Sequence, residues 1–457
     1  MPTLLTGGFV LPCDGTRTIH EDGAVLLADD GTIAAVGPAA DVAVRPEAGA
    51  PGVEVVDTSG HAVLPGLVNA HLHSGLLRGT AESMSLWDWL QTYVDPAHKA
   101  LTPDISEAAS LVCYAESLLA GTTSVLDMWR FPERSAAVAG QLGIRATLAP
   151  YVADEEGYDY FETLATNRAA IEAVHGAHNG RVQVWVGLEH LLYCTEKCFA
   201  DAVALADEAG TGIHTHSSET IWEVQESIKR WGARPIHVME RRGICRPGTV
   251  IAHCVWLDDQ ELAILAGTGT AVAHCPCSNM KLASGPARVA AMRAAGITVG
   301  LGSDGEKENN DLDLFGEMKA ASLLAKLSAL DPTAGDPWDI LAMATLDGAR
   351  ALGQDAYAGS LEPGKQADVV VVSLGGLHTT PVMRGPLSNV AAHLVFSAKG
   401  SDVRHVWVDG DHVVADARLV HADESDIRST AQAAAEELFE RRSLLDPPLP
   451  GWPTAGA

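Results

Sequence analysis

The chain has 457 residues, of which 47% are hydrophobic, so it can bury a large core and is long enough for more than one domain. Its 59 acidic residues against 31 basic ones give a formal net charge of −28. A surface this acidic repels nucleic acid and anionic membranes, so we expect neither as a partner and expect a small-molecule substrate instead.

The two ends of the chain share one pattern. Residues 1–58 and 359–425 alternate β-branched residues with turn signals such as Asp-Asp-Gly and Asp-Gly, as short antiparallel strands do. We therefore predict that both ends pair into one small, discontinuous β-sandwich domain. Residues 426–457 are predicted to form a C-terminal helix followed by a tail rich in proline and glycine.

Between these ends, residues 59–358 alternate short apolar runs with alanine-rich stretches of helical periodicity. Eight such units predict a parallel α/β architecture, specifically a (β/α)8 barrel. An open doubly wound sheet is the rival fold. It usually carries a glycine-rich phosphate turn after its first strand, and here histidines follow that strand.

Polar side chains cluster at the ends of the predicted strands. The first strand ends in His71-Leu72-His73, where residues i and i+2 face the same side. Later strands end in further candidates, namely His190, His216 with Glu219, His253 and Asp304. A single histidine is usually structural, but several histidines and an aspartate on one barrel rim indicate a metal-dependent active site.

A cysteine site is the competing interpretation, since His253-Cys254 and the stretch from His274 to Cys277 lie on neighbouring predicted strands. Adjacent strand residues face opposite ways and no CxxC spacing is present, so we do not favour it. The eight cysteines are scattered, which is typical of reduced thiols. With neither a signal peptide nor a long apolar run, we expect a soluble, cytoplasmic protein.

Several motifs together resemble the amidohydrolase superfamily, in the branch of S-adenosylhomocysteine/methylthioadenosine deaminases and triazine (atrazine-type) hydrolases. The resemblance spans nearly the whole chain. It is carried by PGLVNAHLH with LLRGTAE, HTHSSET, IAHCVWL, CSNMKLASGPARV, GLGSDGEKENNDLDLFGEMKAASLL and GSLEPGKQADVVVV.

This resemblance implies one divalent metal per chain, Zn²⁺ with Fe²⁺ also compatible, held by His71, His73, His216 and Asp304. The two-metal relatives use a lysine at the end of strand four, where this chain has VGLEHLLY. The resemblance further implies that Asp304 and Glu219 move protons while His253 orients the attacking water. We also expect a homo-oligomer, either a dimer or a tetramer.

The implied reaction is hydrolytic deamination of an amino-substituted nitrogen heterocycle, with release of ammonia. Adenosine-like, guanine-like, pterin-like and triazine substrates all remain open, because the nucleoside relatives carry a ribose-binding glutamate where this chain has His98. A triazine-type hydrolase with another leaving group and a cyclic amide hydrolase are the alternatives. Four residues are candidates for substrate contact: His190, Trp87, His98 and Glu306. The charged stretch from Glu306 to Glu308 could equally be a solvated loop.

Overall fold

The N-terminal residues form short strands that pair with one another. The structure is a computed structural model and describes residues 2–80 and 82–445. Strand β1 pairs with β2, β4 and β5, and β2 also pairs with β3. The bounds are β1 (Thr3–Val10), β2 (His20–Leu27), β3 (Ile33–Pro38), β4 (Glu54–Asp57) and β5 (His61–Pro65).

Parallel strands follow in two sheets, ordered β6-β7-β8-β9 and β10-β11-β12-β13-β14. Most of their side chains are buried, as expected for parallel strands covered by helices on one side. The bounds are β6 (Leu67–Leu72), β7 (Thr122–Asp127), β8 (Arg145–Leu148), β9 (Val182–Val184), β10 (Val186–His190), β11 (Ile213–Ser217), β12 (Thr249–His253), β13 (Ala271–His274) and β14 (Val299–Leu301).

All eight apolar runs predicted as strands are strands in the structure, and the fourth is interrupted at Trp185, between β9 and β10. The first and last of these parallel strands also approach each other. The Asp304 amide, just beyond β14, donates to the carbonyl of His71 in β6 at 3.1 Å. Apolar side chains of β6, β7, β12 and β13 share one buried cluster. The parallel α/β architecture is therefore as predicted.

Helices connect these strands. Local sequence sets their limits: Thr195 caps the start of α7, and Gly210 adopts the left-handed conformation after its end. Their bounds are α1 (Ala39–Ala43), α2 (Leu86–Trp89), α3 (Asp95–Ala100), α4 (Pro103–Leu119), α5 (Pro132–Leu142), α6 (Leu164–Val174), α7 (Glu196–Ala209), α8 (Ile221–Trp231), α9 (Pro235–Arg241), α10 (Asp259–Thr268), α11 (Pro276–Lys281), α12 (Val289–Ala294), α13 (Glu306–Asn309), α14 (Leu314–Ala329), α15 (Pro337–Ala344), α16 (Leu346–Ala351), α17 (Val390–Phe396) and α18 (Glu424–Ser443).

The C-terminal strands join the N-terminal ones in a nine-stranded mixed sheet. Their bounds are β15 (Val369–Ser373), β16 (Val403–Val408), β17 (Asp411–Ala415) and β18 (Arg418–Leu419). Strand β15 pairs antiparallel with β5, which connects the two ends of the chain. Helix α18 follows and packs Leu438 against Ile105 and Leu77. The predicted proline- and glycine-rich tail from residue 446 lies outside the described residues.

One apolar run of the sequence contributes a strand to the mixed sheet and a strand to the parallel sheets. The stretch predicted as the first barrel strand divides at Gly66 into β5 and β6, so the mixed sheet extends past the predicted boundary at residue 58. The Gly66 amide donates to the carbonyl of Asp368, and a Cβ on Gly66 would overlap the Thr123 side chain. Glycine is required here because the Thr123 side chain occupies the space that a Cβ would need.

A buried ion pair joins parallel strand β8 to the residue that precedes β15 of the mixed sheet. Arg145, at the start of β8, donates from Nε and Nη2 to the two carboxylate oxygens of Asp368, at 3.1 and 3.0 Å. Both side chains are almost fully buried, and Asp368 also accepts from the Asp409 amide. Within the described part of the chain, no helix is long and apolar enough to cross a membrane.

Candidate active site

Three histidines and an aspartate meet at the carboxyl ends of the parallel strands. His71 lies in β6 and His73 just after it, His216 lies in β11, and Asp304 follows β14. The Nε2 atoms of His73 and His216 are 3.0 Å apart, and Asp304 Oδ1 lies 3.4 Å from Nε2 of both His71 and His73. Every metal-ligand candidate predicted from the sequence thus lies in one place.

Backbone carbonyls fix the tautomer of His71 through a second histidine. His214 Nδ1 lies 2.9 Å from the Val250 carbonyl, which can only accept, so His214 donates from Nδ1 and accepts at Nε2. His71 Nδ1 therefore donates to His214 Nε2, at 2.8 Å. The lone pair of His71 Nε2 is left facing the site, buried and without a hydrogen-bond partner among the described residues.

The same reasoning applies to the other two imidazoles. His73 Nδ1 donates to the Met128 carbonyl, and His216 Nδ1 donates to the Glu189 carbonyl. Burial holds the pKa of both histidines well below the usual range, so both are neutral. Two Nε2 lone pairs thus face each other across 3.0 Å, an arrangement that a cation between them would stabilise.

Asp304 completes the donor set. Its carboxylate accepts from Ser278 Oγ at 2.6 Å and from the Gly305 amide at 2.9 Å. Burial alone would raise its pKa, but the neighbouring imidazoles hold that pKa well below the usual range. Its φ of +61° is rare for a residue with a side chain and is typical of functional sites. Three imidazole nitrogens and one carboxylate oxygen suit a divalent metal such as zinc.

Glu219 and His253 lie beside the predicted metal donors. His253 Nε2 lies 3.8 Å from Glu219 Oε2 and 3.9 Å from Asp304 Oδ2, while His253 Nδ1 donates to Asn279 Oδ1. Ser284 donates to Glu219 Oε1, and burial raises the pKa of Glu219. A carboxyl group with a raised pKa can hold and donate a proton near neutral pH. The residues predicted to transfer protons therefore lie next to the predicted metal donors.

A narrow cavity opens above this group. Its wall is largely aromatic, and it includes Trp87, His98 and His190, three of the four residues predicted to contact substrate. The remaining lining side chains are His73, Leu86, Trp89, Leu90, Val94, Asp95, Tyr151, Phe161, Glu189, Tyr193, His216, Glu219, His253, Leu282, Asp304 and Glu308. Aromatic side chains beside a few polar groups suit a planar heterocycle.

Comparison with known proteins now adds to this geometry. The sequence profile described as "Amidohydrolase family" matches residues 62–413. The chain belongs to the amidohydrolase family. It is therefore a hydrolase acting on carbon–nitrogen bonds, as the sequence motifs indicated.

Two relatives and one solved structure are similar over nearly the full length of this amidohydrolase. The 5'-deoxyadenosine deaminase of Methanosarcina mazei is 37% identical over 96% of this chain and 98% of its own. The 5-methylthioadenosine/S-adenosylhomocysteine deaminase of Symbiobacterium thermophilum is 39% identical over 95% of this chain and 98% of its own. A zinc-bound adenosine deaminase from Xanthomonas campestris has a TM-score of 0.90 and 32% identity, covering 96% of this chain and 98% of its own.

Glu306 requires a correction, because it does not line the cavity. Its Oε1 accepts from the Leu77 amide at 2.9 Å, which turns the side chain toward the loop after β6. Glu308, also in the short helix α13, lines the cavity instead. The alternative of a solvated loop is also wrong, since Glu306, Lys307 and Glu308 are all buried.

Sequence reasoning missed several residues of this amidohydrolase site. His214 repeats, with His216, the one-residue spacing of His71 and His73, so its strand position was readable from the sequence. Glu189 and Glu308 carried no such signal. Lys197, the first lysine after β10, lies on α7 with its side chain 81% exposed, which disfavours a bridging role and hence a cyclic amide hydrolase.

Proposed function

We propose that this amidohydrolase deaminates an adenosine-like nucleoside and releases ammonia, with one metal ion held by His71, His73, His216 and Asp304. The observation that supports the site most strongly is the 3.0 Å approach of two neutral Nε2 atoms that have no proton to share. The substrate class follows the names of the relatives, which are deaminases of adenosine derivatives.

The ion proposed is Zn²⁺, with Fe²⁺ as the alternative that the same donors accept. When bound, it supplies Lewis acidity that lowers the pKa of a water molecule toward neutrality. The second-layer contacts of His214, Met128 and Glu189 keep the three imidazoles in the tautomer that such an ion requires.

The protein residues then divide the proton transfers. Asp304 accepts a proton from the attacking water, and Glu219 donates one to the ring nitrogen next to the reacting carbon. Glu219 and Asp304 raise the pKa of His253 despite its burial, so the ring can carry a proton on both nitrogens. It then donates a hydrogen bond from Nε2 to the oxygen that attacks, while Asn279 fixes the ring. A carbon–oxygen bond forms, Asp304 returns its proton to the amino group, and the carbon–nitrogen bond breaks to give ammonia. The proton of the new hydroxyl group passes to Glu219, which leaves the oxo product and restores both carboxyl groups.

A screen for ammonia release tests this proposal. The purified, zinc-loaded protein is offered 5'-deoxyadenosine, 5-methylthioadenosine, adenosine, guanine, a pterin and an aminotriazine. Turnover of at least one adenine nucleoside, lost on chelation and restored by zinc, is expected. Turnover of none of the six compounds would contradict the proposal.

A triazine-type hydrolase that displaces a group other than ammonia is the second candidate. It is favoured by His98, which lines the cavity where the nucleoside relatives are expected to carry a ribose-binding glutamate. Chloride release from a chlorotriazine, without ammonia release from any nucleoside, would support this alternative.

The remaining sequence expectations stand as parts of the proposal. The parallel strands β6 to β14 would close into a (β/α)8 barrel, supported by the hydrogen bond between Asp304 and His71. The nine-stranded sheet would be the core of the small β-sandwich domain. A cytoplasmic location and a homo-oligomer of two or four chains complete the proposal.

A further inference from the structure

Two cysteines and an aspartate lie together outside the proposed active site. One ligand atom from each of Asp154, Cys194 and Cys198 lies within 4.8 Å of the other two. Within the described residues, the other groups of this kind are made of histidines and the aspartate at the active site. None of these three side chains lines the cavity, so neither the proposed catalysis nor substrate binding accounts for the cluster.

The start of helix α7 brings the two thiols together. Cys194 directly precedes the capping residue Thr195, and Cys198 is the third residue of the helix. The Cys198 amide donates to Thr195 Oγ1 at 3.2 Å, which fixes Cys198 one helical turn after Cys194. Cys194 is 1% exposed and Cys198 3% exposed, so both thiols are shielded from bulk water.

Hydrogen bonds hold the aspartate against this helix start. Asp154 Oδ1 accepts from the Thr195 amide at 2.7 Å, and Oδ2 accepts from the Thr195 hydroxyl at 2.6 Å. The Asp154 amide donates to the Tyr193 carbonyl at 3.1 Å, which joins the loop after β8 to the residue before Cys194. Each carboxylate oxygen has a second lone pair, so Thr195 orients the carboxylate and leaves it able to bind an ion.

We propose that Asp154, Cys194 and Cys198 form a second metal site, which binds a thiophilic divalent cation such as Zn²⁺ or Cd²⁺ through two thiolates and one carboxylate. Such ligands lie roughly 3.5–4 Å apart around a tetrahedral ion. A spread of at most 4.8 Å therefore closes with small side-chain rotations. Asp154 is exposed, so a water molecule can take the fourth position. The ion replaces the two thiol protons, which pass to water.

The thiol site is weaker than the proposed active-site metal site. Contact with Cys198 and then burial raise the pKa of the Cys194 thiol, so an ion has to displace a firmly held proton. The thiol site also has three protein donors, whereas the active site has four. We expect dialysis against metal-free buffer to empty the thiol site alone. The dialysed protein then holds about one ion per chain and binds a second when metal is added.

An ion at this site would restrain two segments of the cavity wall. Tyr193 lines the cavity and directly precedes Cys194, and Tyr151 lines it three residues before Asp154. The ion would join the loop after β8 to the start of α7 by metal–ligand bonds in addition to the hydrogen bonds. Because the ligands come together only in the folded chain, the ion should also stabilise the fold.

Cadmium titration of the dialysed, zinc-loaded protein tests the proposal. Cadmium–thiolate bonds give an ultraviolet charge-transfer absorption that imidazole and carboxylate ligands do not give, so exchange at the active site is silent. The absorption should saturate at about one equivalent per chain and persist in excess Mg²⁺, which prefers oxygen ligands. No absorption at one equivalent would overturn the inference.

Variants identify the ligands. Cys194→Ser and Cys198→Ser should each weaken cadmium binding by at least about tenfold, and the double variant should abolish the absorption. If serine impairs folding at these buried positions, alanine replaces it. Cys277→Ser is the control, because Cys277 is the one cysteine of the eight, all of them in described parts of the chain, that is not fully buried. Absorption that survives in the double variant, or is lost with Cys277, would show adventitious binding and reject the site.

A stability measurement separates an ion bound at these ligands from an ion bound elsewhere. One further equivalent of zinc added to the dialysed protein should raise Tm by several degrees in the wild type and in Cys277→Ser. Asp154→Asn should reduce this rise, and the double cysteine variant should lose it. An equal rise in the double variant would contradict the inference. Neither measurement uses deaminase activity, so failure of the proposed function would leave both results valid.

Discussion

His73 Nε2 and His216 Nε2 face each other at 3.0 Å, and both rings have already donated their only proton to backbone carbonyl oxygens. Such a contact is repulsive unless a cation lies between the two lone pairs. The strands that carry these histidines are fixed by their parallel neighbours, so the rings are held in place without an ion. The site is therefore pre-organised for metal.

Metal content is the first prediction. His216→Ala removes one of four donors and should reduce zinc measured by elemental analysis from about one ion per chain to a small fraction. His237→Ala, on α9 and away from the cavity, is the control and should retain the metal. Full zinc occupancy in the His216 variant would reject the ligand assignment.

The second prediction separates metal binding from catalysis. Glu219→Gln keeps the size of the side chain and its contact with Ser284, but it cannot readily donate a proton. We expect kcat to fall by roughly 10²- to 10⁴-fold with metal content unchanged. Glu226→Gln, on α8 and outside the cavity lining, is the control and should keep wild-type kcat. Near wild-type kcat in Glu219→Gln would require another proton donor.

Stability should depend on the buried pair of Arg145 and Asp368. Arg145→Met leaves a buried carboxylate without its partner, so the free energy of unfolding should fall by about 3–5 kcal/mol in urea titrations. The exposed bidentate pair of Arg168 and Glu208 is the matched control, and Arg168→Met should change little. Equal effects of the two substitutions would show that burial of the pair is unimportant.

The fourth prediction concerns pH. Burial raises the pKa of Asp95 to about 6, so this cavity carboxyl is neutral below that pH and ionised above it. Because the folded chain holds this proton more tightly than the unfolded chain does, ionisation of Asp95 should lower the free energy of unfolding by about 1 kcal/mol between pH 5 and 7. Urea titrations of the wild type and of Asp95→Asn at the two pH values measure this contribution as a difference in slope. The same pH dependence in both proteins would exclude Asp95.

Removal of the C-terminal strands is the fifth prediction. Deleting residues 365–457 leaves β5 without β15 and exposes buried apolar side chains such as Val63 and Leu64. We expect insoluble protein on expression. A soluble and active truncated protein would show that the mixed sheet is dispensable.

The sequence could bring the four proposed metal donors together because strand ends and the alternation of side chains along a strand are local properties. His71, His73, His216 and Asp304 could be placed together without knowing any distance. The position of Glu306 could not be predicted, because the direction of a side chain in the four-residue helix α13 depends on the Leu77 amide, far away in sequence.

Long-range contacts also explain the other misses. His214 acts through its hydrogen bond to His71, a contact across two sheets that no periodicity reveals. The division of one apolar run at Gly66 depends on the approach of Thr123 and Asp368. The residues on either side of Gly66 are equally apolar, so composition gave no sign that they enter different sheets.

Gly66 has a thermodynamic consequence. Strand β6, which carries His71, begins one residue after β5, and β5 pairs with β15 in the C-terminal part of the chain. An ion that binds only the folded site shifts the folding equilibrium by mass action, and that stabilisation reaches whatever unfolds together with the site. Added zinc should therefore delay hydrogen exchange in β5 and β15, which contain no proposed ligand, as well as in β6. The sheet at the chain ends would then report on metal occupancy.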